Sequence, residues 1–309
     1  MTKDTFFLEA TDGVKIAIHR WKSNTGPKAV VQISHGMAEY AMRYDSFAEN
    51  LVNAGYAVFA ADHRGHGETA GSLDKLGYLS DKDGFARVAQ DQFELTEEIN
   101  RQFPKVPVIL FAHSFGSFIG QMYIEQHGDK IAGCILSGTM GPNPLKTIAG
   151  RMVASLVCMI QGRKKPSPFL THLTFGANNK RIPNAKSLNS FLSRDEAEVE
   201  KYDASPWSGF TCTGGFYQDL MSGLSRIHAP SAISWIPDSL PIFFIAGSED
   251  PVGDYGRSVE KLYTMYKDKG LKRAEIKIYK DARHELLNDI CKEEATADIL
   301  SWIEKVLKG

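Results

Sequence analysis

Cysteine is scarce in this chain: Cys134, Cys158, Cys212 and Cys291 are its only four, far apart and without a C-x-x-C pair. That spacing argues against a zinc ribbon or a disulfide framework and fits a reducing compartment. An excess of charge is missing too. Lys and Arg total 36 against 37 Asp and Glu, for a formal net charge of −1, so no electrostatic case exists for nucleic acid or an anionic membrane as main partner. No apolar run reaches the roughly 20 residues of a membrane-crossing helix, and Met1–Phe6 shows no apolar core of a secretion signal. A cytoplasmic location is expected. Repeats and low-complexity tracts are also absent.

What the chain does carry is a rhythm of strands and helices. Thr5–Ala10 and Val14–Trp21 read as a hairpin around Asp12-Gly13. Strands follow near Ala29–Ser34, Tyr56–Ala61, Val106–Ala112, Ile131–Ser137, Leu240–Ala246 and Glu275–Tyr279. Helices are expected near Tyr44–Ala54, Gly84–Phe103, Phe115–His127, Gly256–Lys269 and Lys292–Leu307. Such alternation predicts an α/β fold with a mostly parallel central sheet flanked by helices.

The stretch Val108-Ile109-Leu110-Phe111-Ala112-His113-Ser114-Phe115-Gly116 holds the sharpest chemical signal. An apolar run ends at a serine with small residues two places before and after it, the layout of a nucleophile elbow. Ala112 stands where a glycine is usual, at the cost of one methyl group of crowding. A serine hydroxyl needs a base, and chain order supplies one. The buried strand ending at Ala246 opens into Gly247-Ser248-Glu249-Asp250-Pro251, and the next strand leads to Asp281-Ala282-Arg283-His284. His284 is the only one of nine histidines after Asp250. The expected catalytic set is therefore Ser114 as nucleophile, His284 as general base and Asp250 as its orienting acid, with Glu249 and Asp254 as rivals of Asp250. Upstream, His35-Gly36-Met37 follows a strand, so the backbone N–H of Met37, together with that of Phe115, is the expected oxyanion hole.

Taken together, His35-Gly36-Met37-Ala38-Glu39-Tyr40, Arg43-Tyr44, Asp62-His63-Arg64-Gly65-His66-Gly67, Ala112-His113-Ser114-Phe115-Gly116 and Gly247-Ser248-Glu249-Asp250 resemble the α/β-hydrolase superfamily. Within it they are similar to the branch of monoacylglycerol lipases and bacterial lysophospholipases, with serine aminopeptidase S33-type hydrolases as near kin. The resemblance runs from about Phe6 to the C-terminal helix. It implies a serine esterase of lipid metabolism acting on small lipid-like esters through an acyl-enzyme, with no metal and no organic cofactor.

Residues 1–140 and 233–309 are expected to form the hydrolase core, and 141–232 an inserted cap or lid. Proline-rich breakers, Gly141-Pro142-Asn143-Pro144 and Lys165-Pro166-Ser167-Pro168, punctuate that insertion. Its first helix, Thr147–Gln161, is apolar on most faces, suited to covering an acyl chain or to transient contact with a membrane or micelle. Other motifs have plainer readings. His63 and His66 lie in a glycine-bounded loop without a third ligand, so no metal is expected. His113 and Asp91 read as buried supports, Glu39 and Arg43 as a local ion pair, and Arg163-Lys164-Lys165 and Lys180-Arg181 as solvated charge. Two alternatives remain open. A proline-iminopeptidase-like enzyme would need a cap carboxylate for the substrate amine, with Glu196, Glu198 and Glu200 available. A non-catalytic ligand-binding member of the fold would ordinarily lose part of the triad.

Overall fold

Apolar residues on alternate positions of the central strands divide the molecule into two faces. In β5 (Val108–His113), Val108, Leu110 and Ala112 join one core cluster, and Ile109 and Phe111 join another. The same split recurs in β7 (Ile242–Gly247), with Phe244 and Ala246 on one side and Phe243 and Ile245 on the other. A strand buried on both faces needs helices on both, and the chain provides them. The computed structural model describes residues 1–309.

The sheet has eight strands in the order β1-β2-β4-β3-β5-β6-β7-β8. β1 (Thr2–Glu9), β2 (Lys15–Lys22) and β4 (Ala57–Ala61) pair antiparallel; β3 (Val30–Ser34), β6 (Gly133–Ser137), β8 (Ala274–Tyr279) and the remaining pairings are parallel. The predicted α/β class is thus the observed one. On one face, α1 (Asp45–Asn53) and α11 (Lys292–Leu307) place Phe47, Leu51, Ile299 and Ile303 on the sheet. On the other, α3 (Gly84–Gln102), α4 (Phe115–His127) and α10 (Arg257–Lys269) contribute Leu95, Ile99, Tyr123, Ile124, Val259 and Leu262. A one-turn helix, α2 (Gly67–Ala70), follows the Asp62–Gly67 loop.

Element boundaries differ from expectation for identifiable reasons. β1 starts at Thr2 because it is an edge strand, exposed along most of its length, and an exposed strand shows no apolar alternation. Pro144 and Pro168 are helix starters, not breakers. Each occupies the first turn, of α5 (Pro144–Gln161) and α6 (Pro168–Phe175), where the missing N–H costs nothing. Asn143 and Ser167 cap these two helices through their side-chain oxygens.

Between β6 and β7 the chain leaves the sheet for α5, α6, α7 (Glu196–Ala204), α8 (Gly214–Ile227) and α9 (Pro230–Ile233). Ala154, Leu170, Phe216, Tyr217 and Leu220 of this insertion pack with Phe85, Phe115, Phe118 and Met122 of the core into a third apolar cluster. Further on, Ile233 and Ile236 already belong to a cluster on the sheet. None of the helices is long and apolar enough to cross a membrane.

Candidate active site

Ser114 sits where β5 ends and α4 begins, with φ +52° and ψ −121°. A non-glycine residue there is strained. The strain is held by the surroundings: the Ser114 N–H donates to the Ser137 carbonyl at 2.9 Å, and the Ser117 hydroxyl donates to the Ser114 carbonyl at 2.6 Å. Such a turn lifts the hydroxyl away from its own helix.

Two loops from other strands meet it. His284 Nε2 lies 2.8 Å from Ser114 Oγ, and His284 Nδ1 lies 2.9 Å from Asp250 Oδ2. With Nδ1–H donating to the carboxylate, Nε2 keeps its lone pair for the serine proton. Asp250 is fully buried, and its other oxygen accepts the Val252 N–H at 2.9 Å. Its rivals point elsewhere: Asp254 is exposed and pairs with Arg257, while Glu249 makes no contact with His284.

The third loop follows β3. A methyl group built on Gly36 would lie 3.2 Å from Ser114 Cβ, so this loop presses against Ser114. Three consecutive amides follow, and side chains engage two of them. Glu39 Oε1 accepts the Gly36 N–H, and His66 Nε2 accepts the Ala38 N–H at 3.3 Å. The Met37 N–H between them has no acceptor in the protein, and neither has the Phe115 N–H at the start of α4. The two amides named from the sequence are therefore unengaged donors beside Ser114.

Electrostatics sets one histidine apart from its neighbours. Burial pushes His66 down to about 4 and His113 down to about 3, and holds His35 and His63 well below the ordinary imidazole value. Burial pulls His284 down as well, but the Asp250 carboxylate, with lesser help from Glu285 and Glu39, outweighs it and leaves the imidazole raised. Only this one is tuned upward. His113 packs against it, ring centres 4.8 Å apart, and meets Ser137 Oγ at 3.3 Å.

The Asp62–Gly67 string is scaffold. Asp62 accepts from the Ala41 and Glu68 amides and contacts His19 Nε2 at 3.0 Å; Arg64 is held by Asp91 and Asp12. His63 Nε2 reaches the His35 carbonyl, and His66 Nδ1 the Arg64 carbonyl. These ring nitrogens are spent on backbone, and no cluster of three metal-ligating side chains exists anywhere in the chain.

Some supporting residues escaped the sequence reading. Arg283 donates to the Ser190 and Ser193 carbonyls, the His284 and Glu285 amides donate to Phe191 and Leu192, and Asp289 takes Arg194 of the insertion. The histidine loop is thus stitched to the insertion, with Phe191 near the imidazole at 5.9 Å between ring centres. Of the basic runs read as solvated charge, Lys164, Lys165, Lys180 and Arg181 are exposed as expected, with Lys164 meeting Asp81 and Arg181 stacked 3.4 Å over Tyr255; Arg163 alone is half-buried, paired with Asp219.

The family model described as "Serine aminopeptidase, S33" matches residues 25–290, a span containing every residue above that touches Ser114. The chain belongs to that family. A monoglyceride lipase homolog of Monkeypox virus is 29% identical over 92% of both chains, and the monoglyceride lipase of Mus musculus is 27% identical over 97% of this chain and 90% of its own. A thermostable carboxyl esterase from Bacillus coagulans, solved with glycerol, superposes with a TM-score of 0.92, at 27% identity and 99% coverage of both chains. The fold is that of the α/β-hydrolases, and the chain stands on their monoacylglycerol lipase branch.

Proposed function

We propose that this chain is a serine hydrolase of carboxylic esters whose substrate is a monoacylglycerol or a similar single-chain lipid ester. The observation that carries the reading is the unbroken line from Asp250 Oδ2 through His284 to Ser114 Oγ, at 2.9 and 2.8 Å, beside two unengaged amides. Ser114 Oγ attacks the acyl carbonyl while its proton passes to His284 Nε2, and the amides of Met37 and Phe115 receive the oxyanion. The carbon–oxygen bond to the alcohol then breaks, and His284 protonates the departing glycerol oxygen. Water, deprotonated by the same imidazole, releases the fatty acid and restores Ser114.

The insertion from 141 to 232 acts as the cap. Half-buried Met140, Val153, Val157, Phe210, Met221 and Val252 border the cluster that contains Phe115, and supply apolar surface for an acyl chain. The outer side of α5 carries a second apolar stripe, Leu145, Ile148, Met152, Leu156 and Met159, all exposed. Bare apolar surface on a cap suits a lipid interface, from which an amphiphilic substrate would enter. The cytoplasm is the proposed location, a reading supported by four free thiols.

The peptidase reading loses its support in α7. Glu196 pairs with Lys186 and Glu198 with Lys201, Glu200 is exposed to solvent, and Val199 and Tyr202 are the residues of that helix turned inward. A purely binding role has no specific observation in its favour, since serine, histidine and aspartate are all present and connected.

The test is hydrolysis of p-nitrophenyl butyrate and of a monoacylglycerol by the parent enzyme and by Ser114→Ala. Turnover of both by the parent, with loss of at least about a thousandfold in the variant, supports the reading. Undiminished turnover by Ser114→Ala overturns it. A lysophospholipid assayed in parallel separates the two lipid classes.

A further inference from the structure

Three buried charges lie beside the proposed site, and the mechanism uses none of them. Arg43 Nη1 donates to Glu39 Oε2 at 2.6 Å and to Glu285 Oε1 at 2.7 Å, while Nη2 donates to Glu285 Oε2 at 2.7 Å. Side-chain exposures are 10% for Arg43, 4% for Glu39 and 7% for Glu285. Buried ion groups of this kind seldom add net stability over apolar replacements, so their worth must lie in what they fix in place.

Each carboxylate belongs to a different loop. Glu39 closes the turn after the Met37 amide, and its other oxygen accepts the Gly36 N–H and the Tyr44 hydroxyl. Glu285 immediately follows His284 and is itself steadied by the Leu192 carbonyl and by Asn288 Nδ2. One guanidinium therefore spans the loop that bears an oxyanion donor and the loop that bears the base. The cap reaches the same point: the Tyr202 ring lies 4.7 Å from the guanidinium carbon, and the Tyr202 hydroxyl donates to the Ala38 carbonyl at 2.8 Å.

We propose that Arg43 is a positioning residue that locks the Gly36–Ala38 loop to the His284 loop through Glu39 and Glu285, holding oxyanion donor and base in register around Ser114. The inference rests on the reading of Ser114 and His284 given above. Its chemistry requires a planar, forked cation, since a point charge cannot grip two carboxylates in fixed relative orientation. Charges agree with the geometry. Burial would raise the Glu285 carboxyl, but Arg43 brings it down to about 2; Glu39, with one shared contact to Arg43 and the like charge of Glu285 nearby, stays raised by its burial.

The experiment compares Arg43→Lys, Arg43→Met and Arg43→Met/Glu285→Gln with the parent. It reads kcat and KM for a water-soluble ester, the rate at which a fluorophosphonate labels Ser114, and Tm. Arg43→Lys is expected to lose about tenfold or more in kcat and in labelling rate, with KM changed less than about twofold, because loop misplacement weakens the transition state more than ground-state binding. The double variant keeps the cluster's formal charge. It should recover Tm relative to Arg43→Met yet stay slow in turnover and labelling. Parent-like rates in Arg43→Lys, or a double variant that regains rate together with Tm, would show that the ion group serves folding alone and would overturn the proposal. Absence of Ser114-dependent ester turnover in the parent would instead fail the ester reading, and the labelling rates would still decide the role of Arg43.

Discussion

A methyl group built on Gly116 would sit 2.1 Å from the carbonyl oxygen of Ser34. The neighbour is backbone at the end of a buried strand, and it cannot yield as a side-chain tip can. Gly116→Ala is accordingly expected to lose at least about 3 kcal/mol of stability, or to fail to fold. The position two before Ser114 behaves differently. Ala112 keeps its methyl because Gly120, a turn further along α4, has none: a Cβ there would lie 2.9 Å from Ala112 Cβ. Gly120→Ala should cost about 1–3 kcal/mol, and Ala112→Gly in the same chain should return part of it. Urea unfolding of the two singles and the double measures the coupling, and strictly additive losses would contradict this packing account.

Sequence order sufficed for the residues proposed to act and fell short for those that hold them. Ser114, Asp250 and His284 are legible because an elbow, a turn after a strand and a late histidine are local patterns with a fixed order. The turn alone does not separate Asp250 from Asp254; burial and the contact to His284 make the distinction. Glu285 is not legible although it adjoins His284, because its partner Arg43 is 242 positions away and no local pattern joins them. Asp289 and Arg194 are hidden for the same reason. The folding of the insertion onto the histidine loop is a tertiary fact, without periodicity or spacing to announce it.

Asp250→Asn leaves shape and removes charge. If Asp250 fixes the His284 tautomer, kcat should fall by about four orders of magnitude, whereas Asp254→Asn should lie within about twofold of the parent. The acid limb of kcat/KM carries a further sign. His284 must be neutral to accept the serine proton, so activity falls as pH drops through its pKa, which lies above the ordinary imidazole value. Glu285→Gln removes one of the charges that raise it, and the limb should move to lower pH. A limb unmoved, or moved upward, would exclude Glu285 from the electrostatics of the base.

Glu125 makes a separate prediction about stability. It is a buried residue of α4 with Oε1 unpartnered, and burial raises its carboxyl to about 9. The sign follows from linkage: the folded protein holds a proton there that the unfolded chain gives up near pH 4.5. Folding is then favoured most below that value, and stability declines as pH rises toward about 9, by up to about 1.4 kcal/mol per unit. Glu125→Gln should leave stability at pH 5 almost unchanged, raise it at pH 8, and flatten the slope between. Parallel pH–stability curves for the two proteins would mean that Glu125 is ionised in the native state.

The exposed stripe on α5 can be tested apart from chemistry. Leu145, Ile148, Met152, Leu156 and Met159 recur every three or four residues, so they share one side of the helix, while Ala154 and Thr147 lie buried on the other. Such a helix, apolar on both sides, would ordinarily be interior. Replacing Met152 and Met159, which are 67% and 77% exposed, by glutamate removes apolar area without touching the buried side. Sedimentation with phosphatidylcholine vesicles should fall several-fold, and turnover of monoacylglycerol presented in those vesicles should fall with it. Turnover of p-nitrophenyl butyrate in free solution should stay within about twofold of the parent, since neither methionine belongs to the apolar cluster that contains Phe115. Loss of the soluble activity to the same extent would place these residues in the acyl pocket, whereas unchanged vesicle binding would show that the lipid interface is met by some other surface.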